Sequence, residues 1–316
     1  MSTRLEESIN NLIIQTKGEI NSRIEEVCFN IKIDQTETLC HCYCLKTDAN
    51  HNLRLQDLIE FIDLKIVEYA IPKKEIDDAR KYLNETQSPI KFQALRQKAE
   101  KLFTDLEKTG EGGEILLYIL VQEFLKIPQL ISKMSLKTSG QLHYQGADGI
   151  HVNYDNVNQN LNLYWGEAKM YADLNSGMNA CFDSIMGFLT DAQSAGSVQE
   201  RDLQLITSNI SANVNDTALE DALVSYFDRD SDLSNHIVYK GLCFIGFDSD
   251  DYPCDGAQKT TQQIRELMQA QLTNWHQKLK DKIVEKNPLH LKEMHVFLMP
   301  FPSVAKFREA YLKTIK

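Results

Sequence analysis

One segment of the chain, residues 161–170, alternates in the manner of a strand and passes from apolar residues directly into an acid and a base. Side chains on a strand alternate between its two faces. One face carries Glu167 and Lys169 in continuation of an apolar row, formed by Leu161, Leu163 and Trp165. The opposite face is also largely apolar, so the pattern predicts a strand that is covered on both sides within a sheet.

A second alternating segment precedes this strand and begins with Asp148 on its apolar face. The connecting residues 155–160 are rich in Asp and Asn, which are typical turn formers. The two segments are therefore expected to form a hairpin that brings Asp148 beside Glu167.

Two neighbouring carboxylates repel one another, and the cost rises as water is excluded. A divalent cation removes this cost, and Mg²⁺ favours one or two carboxylates together with waters and phosphate oxygens. We therefore expect Asp148 and Glu167 to bind Mg²⁺, with Mn²⁺ as a substitute and the carbonyl of Ala168 as a further ligand. Lys169 would orient an attacking water or neutralise charge on a phosphate.

A largely apolar segment from Gly113 to Leu125 predicts a buried helix with Glu114 in its first turn. Glu114 is a candidate second metal ligand, or a residue that orients a metal-bound water. Glu111 could take its place, although the flanking glycines predict a loop there.

Structural interpretations compete with this chemistry. A Glu-x-Lys sequence alone usually marks a solvated strand edge, and Glu167 and Lys169 could form a buried structural ion pair. An acid near a helix start, such as Glu114, is often only a cap. The addition of Asp148 and of an acid on an apolar helix favours the catalytic interpretation.

The order of helix acid, strand Asp and strand Glu-x-Lys resembles the PD-(D/E)xK nuclease signature, with Ala147 where the signature has Pro. Three segments resemble, more closely, the HamA family of nuclease subunits from Hachiman anti-phage systems: residues 113–118, 146–151 and 165–171. The resemblance implies an α/β restriction-endonuclease-like core, with a central mixed sheet, flanking helices, an N-terminal hairpin with helices, and C-terminal helical additions. It also implies DNA degradation in abortive infection, restrained by a HamB-like helicase until aberrant DNA is sensed.

The formal net charge of −11 argues against a simple DNA-binding protein. Duplex binding relies on Lys and Arg to neutralise phosphates, and the sequence has no long basic run. Either a partner supplies most of the DNA affinity, or the acidic balance reflects only solubility. No segment resembles a secretory signal or a membrane span, so we expect a cytoplasmic bacterial protein.

Three cysteines, Cys40, Cys42 and Cys44, alternate along a predicted strand. Zinc sites usually show wider spacing with a distant matching pair, so we interpret these cysteines as core residues of a hairpin. We divide the chain into an N-terminal hairpin and helical region, residues 1–108, and a nuclease core, residues 109–316, that could equally form one continuous domain.

Two other functions remain open at the level of sequence. The fold could persist as a non-catalytic adaptor that binds DNA ends or a partner, although the intact Glu-x-Lys argues against decay. It could also be a stand-alone restriction or repair nuclease, which the acidic charge weighs against. The sequence has no Gly-rich phosphate loop, so ATP hydrolysis by this chain is not expected.

Overall fold

The computed structural model describes residues 2–103, 110–136, 146–190, 197–253 and 258–315. Within these ranges the strands are Ile24–Lys32 (β1), Thr38–Leu45 (β2), Gln129–Ser132 (β3), Gly149–Asp155 (β4), Asn160–Met170 (β5), Ile237–Asp248 (β6) and Met294–Phe301 (β7). They form one sheet in the order β1-β2-β7-β6-β5-β4-β3.

Helices cover both faces of this sheet. Their bounds are Ser2–Asn10 (α1), Leu55–Leu64 (α2), Ile66–Ala70 (α3), Lys73–Thr86 (α4), Ile90–Glu100 (α5), Glu111–Leu120 (α6), Leu174–Thr190 (α7), Val198–Asn213 (α8), Thr217–Phe227 (α9), Thr261–Glu285 (α10) and Val304–Ile315 (α11). Helices α6 and α11 lie on one face with α2 and α3, and α7 and α10 lie on the other. In the described ranges, no helix is both long and apolar enough to cross a lipid bilayer.

The sheet is mixed. Its centre, β2-β7-β6-β5, is parallel, while β1 and the pair β4-β3 add antiparallel edges. Parallel strands are covered by helices on both faces and therefore tend to be continuously apolar, and all eight residues of β7 are buried. The predicted α/β class with a central mixed sheet, flanking helices and terminal additions is confirmed.

The N-terminal hairpin belongs to the same sheet, because β2 pairs with β7 in parallel from Thr38–Met294 to Cys42–Leu298. The three cysteines of β2 are buried, as predicted for a core strand. The domain boundary predicted between residues 108 and 109 lies outside the described residues.

Several element boundaries differ from the sequence prediction. The apolar spacing of residues 53–69 predicts one amphipathic helix. The structure has two helices there, because the Lys65 N–H bonds to the carbonyl three residues back and tightens the turn between them. The helix predicted from Gly113 to Leu125 begins at Glu111, ends in a π-helical turn over Val121–Leu125, and stops at Lys126 with φ 55°. Strand β3 was not predicted.

The acidic cluster at residues 248–251, at the end of β6, predicts a solvated loop, but the structure exposes only part of this cluster to solvent. Asp248 is half-buried, and its Oδ1 accepts a hydrogen bond of 2.6 Å from the backbone N–H of Val304 at the start of α11. The first N–H groups of a helix have no partner within the helix, so this carboxylate ties the end of β6 to α11. Asp250, two residues later, is exposed.

We predict that Asp248→Ala lowers the free energy of unfolding by about 1 kcal/mol, the usual cost of a lost helix cap. Asp250→Ala removes the same charge from an exposed position of the same loop and is the matched control. Urea denaturation of both variants measures the difference. Equal midpoints for the two would show that the Asp248–Val304 contact does not stabilise the fold.

Candidate active site

The register between β4 and β5 determines the position of the two predicted metal-binding acids. The strands pair from Asp155–Asn160 to Gly149–Gly166. Asp148, one residue before β4, continues this pairing by donating its N–H to the carbonyl of Gly166 at 2.9 Å. Asp148 therefore lies opposite Glu167, and both residues are buried.

Asp148 is held in place by the backbone of β5. Its Oδ2 accepts a hydrogen bond of 2.9 Å from the N–H of Ala168. Gly166 makes close approach of the two strands possible, because a Cβ there would lie 3.0 Å from the carbonyl oxygen of Gly149. The backbone of β5 thus fixes one oxygen of this carboxylate.

Helix α6 brings the third acid to the same place. Gly113 lets the helix lie close to β5, since a Cβ on it would be 3.7 Å from the Cβ of Ala168 and 3.2 Å from the Met170 side chain. Glu114 follows in the first turn and is buried. Glu111, the alternative acid, is the buried first residue of α6 and does not lie in a loop as the sequence predicted.

Two ammonium groups lie beside these acids and offset part of their charge. Lys169 Nζ lies 2.8 Å from Glu167 Oε2. Lys133, just after β3, places its Nζ 3.1 Å from Asp148 Oδ1 and 3.8 Å from Glu114 Oε1. Glu114 and Asp148 are therefore joined through a shared lysine, and all four side chains predicted to act together lie in one site.

Burial and mutual repulsion act on Glu167. Its pKa is raised to about 7, first by burial and then by the charge of Asp148, and Lys169 only partly offsets this. Burial opposes the charged form of Lys169, but the charges of Glu167 and Asp148 outweigh it and raise the pKa of the lysine. Lys169 is consequently an ammonium group at neutral pH.

Lys133 and Tyr69 are site residues that the sequence interpretation missed. The Tyr69 hydroxyl on α3 lies 3.1 Å from Glu114 Oε2 and 3.1 Å from the carbonyl oxygen of Asp148. Burial and these acids raise the pKa of Tyr69, so it remains a donor. The short apolar pair Leu130-Ile131 is only a weak signal for strand β3, and nothing in the sequence specifies its pairing with β4.

The donor set fits a hard divalent cation. Asp148 and Glu167 supply two facing carboxylates, and oxygen ligands of this kind suit Mg²⁺ or Mn²⁺. The N–H and C=O of a strand residue point to the same neighbouring strand, so the Ala168 carbonyl faces the side of Asp148. The register of β4 ends at the Gly149–Gly166 pair, and Ala168 lies beyond it. The carbonyl is therefore directed toward the space beside the acids.

The mixed sheet, and the order of helix acid, strand Asp and Glu-x-Lys, define a restriction-endonuclease-like protein of the α/β class. The sequence matches the family model described as HamA over residues 20–315, nearly its whole length, and the chain therefore belongs to the HamA family. As a member of the HamA family, the protein is associated with Hachiman defence. A search of the curated proteins gave no match.

We predict that Mg²⁺ raises the melting temperature through Asp148 and Glu167. A cation at about 100 times its Kd stabilises the folded state by about 2.7 kcal/mol. Asp148→Asn should remove most of this shift, while its amide oxygen can still accept the Ala168 N–H. Asp250→Asn, with the same loss of charge on the surface, should keep the shift. A thermal shift titration tests this, and an equal response of both variants would contradict the assignment.

Proposed function

We propose that the chain is the nuclease subunit of a Hachiman defence complex, which hydrolyses DNA phosphodiester bonds with Mg²⁺, or with Mn²⁺ in its place. This proposal rests on the convergence of three buried acids and two ammonium groups immediately before the start of β4. A structural ion pair between Glu167 and Lys169 accounts for neither Asp148 nor Lys133. HamA membership supports the same activity.

The acids would bind and position the cation. Asp148 and Glu167 would hold it directly, with the carbonyl of Ala168, and Glu114 would either contact it or orient a water beside it. When bound, the cation would act as a Lewis acid on the scissile phosphate. Burial and the charge of Asp148 raise the pKa of Glu167, and a bound cation would offset both effects.

The lysines would act on the phosphate and the attacking water. Lys169 is an ammonium group, so it would donate hydrogen bonds and stabilise developing negative charge; in this state it is not a proton acceptor. Lys133, held between Asp148 and Glu114, would supply a second positive charge once a cation neutralises these acids. Tyr69 would keep Glu114 in position.

The acidic balance of the chain supports dependence on a partner. With a net charge of −11, the chain has little long-range attraction for DNA, which is itself a polyanion. We propose that a helicase of the HamB type, in the bacterial cytoplasm, delivers DNA to this site and restrains cleavage until aberrant DNA is sensed. A helicase gene adjacent to this one is the simplest genomic observation that would support the pairing.

We predict that Lys169→Ala reduces plasmid degradation by at least about 100-fold, because charge stabilisation at a transition state is commonly worth 10²–10³ in rate. The matched control is Lys240→Ala, since Lys240 lies on the adjacent strand β6 and pairs with Glu293 at 2.8 Å, away from the acids. Both are assayed with Mg²⁺, alone and with the helicase. Undiminished cleavage by Lys169→Ala, or by the unaltered chain in excess chelator, would refute the mechanism.

We predict that the isolated chain binds a DNA duplex weakly and that the helicase complex binds it far more tightly. Each phosphate neutralised by a protein contributes about −0.9 to the slope of log K against log salt concentration. Fluorescence anisotropy over a range of salt concentrations should therefore give a shallow slope for the chain and a steep one for the complex. Equal affinities and salt slopes for the isolated chain and the complex would contradict the proposal that the partner delivers DNA.

A further inference from the structure

Two thiols and an imidazole, side-chain types that can hold a metal ion, lie together at the opposite edge of the sheet. Cys28 on β1, Cys40 on β2 and His276 on α10 each place a ligand atom within 4.8 Å of the other two. Strands β1 and β2 are separated from the acidic site by β7 and β6. This group is therefore independent of the nuclease site.

The hairpin register places the two thiols on one face. Cys28 pairs with Cys42, whereas Ile31 pairs with Cys40, so three residue steps on β1 correspond to two on β2. This is a β-bulge, and Asn30 within it has φ 56°. Bulges change the direction of side chains and are frequent beside functional sites. Because Cys40 and Cys42 share a face of β2, Cys28 faces the same side as both.

Helix α10 is fixed over this face by polar contacts on either side of His276. Arg265 donates to the carbonyl of Glu26 at 2.9 Å, and Lys280 pairs with Asp34 at 2.8 Å. These contacts hold His276 above the hairpin. The three ligands therefore come from β1, β2 and α10.

One nitrogen of the His276 imidazole, Nε2, is buried and has no hydrogen-bond partner in the described part of the chain. Buried polar atoms are normally paired, and an unpaired one calls for a ligand or an ion.

We propose that Cys28, Cys40 and His276 bind a soft divalent cation, with Zn²⁺ as the best match. Thiolate sulfur and imidazole nitrogen are the ligands that zinc prefers, at distances of about 2.3 and 2.0 Å. Tetrahedral angles with these bonds require donor separations of about 3.5–3.8 Å, so the side chains need to move by only about 1 Å. Cys28 and His276 are partly exposed, which leaves access for the ion and for a water as fourth ligand.

Binding releases the two thiol protons to solvent, and no oxidant or reductant takes part. The ion would join α10 to the N-terminal hairpin and thereby stabilise this edge of the sheet. The ligands also distinguish this site from the acidic site, since thiolates select zinc or cobalt whereas carboxylates select magnesium or manganese.

Cobalt titration of the metal-free, reduced full-length chain tests this proposal. Co²⁺ occupies zinc sites, and thiolate ligands give it a near-ultraviolet charge-transfer absorption that a carboxylate site does not produce. We expect this band to saturate at about one ion per chain and to disappear when Zn²⁺ is added. Loss of a direct ligand should weaken binding by at least about 100-fold in Cys28→Ser and in His276→Gln.

Cys44→Ser is the matched control, because Cys44 is a buried thiol of the same hairpin that pairs with Glu25 outside the group. It should keep the band at full intensity. The titration of the unaltered chain is decisive, because the absence of a charge-transfer band in that titration would overturn the proposal. A band that persists in Cys28→Ser at unchanged affinity would overturn it as well.

Discussion

The antiparallel register of β4 on β5 is the constraint on which the acidic site depends. Because the pairing ends at Gly149–Gly166, Asp148 lies opposite Glu167 and is bound by the Ala168 N–H. A shift of one residue would turn Asp148 to the other face of the sheet. Asp148 lies immediately before the start of β4. This position leaves room for side chains from α6 and from the residue after β3 to reach the same point.

This arrangement concentrates negative charge where water is scarce. Burial, together with repulsion from the neighbouring Asp148, raises the pKa of Glu167 to about 7. Lys169 and Lys133 compensate part of this charge in the protein itself. Placing like charges together in a buried position lowers the stability of the fold, but it suits a divalent cation and a phosphate. Such destabilising groups are commonly found at functional sites.

Strand parity made the site largely predictable from sequence, because local alternation alone assigns Glu167, Lys169 and Asp148 to one hairpin. Glu114 followed from its place on an apolar helix. Lys133 and Tyr69 could not be found in this way, since their approach to Asp148 depends on the pairing of β3 with β4 and on the packing of α3. The same limit applies to His276, which lies 236 residues after Cys40 in the chain and meets it only through the packing of α10. The bulge of β1 and the division between α2 and α3 are likewise set by tertiary contacts rather than by local pattern.

The proposed function requires that Asp148 and Glu167 together bind a divalent cation. Anomalous diffraction from crystals of the chain soaked in Mn²⁺ would locate this cation. We expect an anomalous peak in contact with both carboxylates and with the carbonyl oxygen of Ala168, with Lys133 displaced from Asp148. A peak only elsewhere, such as the Asp248–Asp251 loop, with both lysine contacts unchanged, would contradict the proposed function.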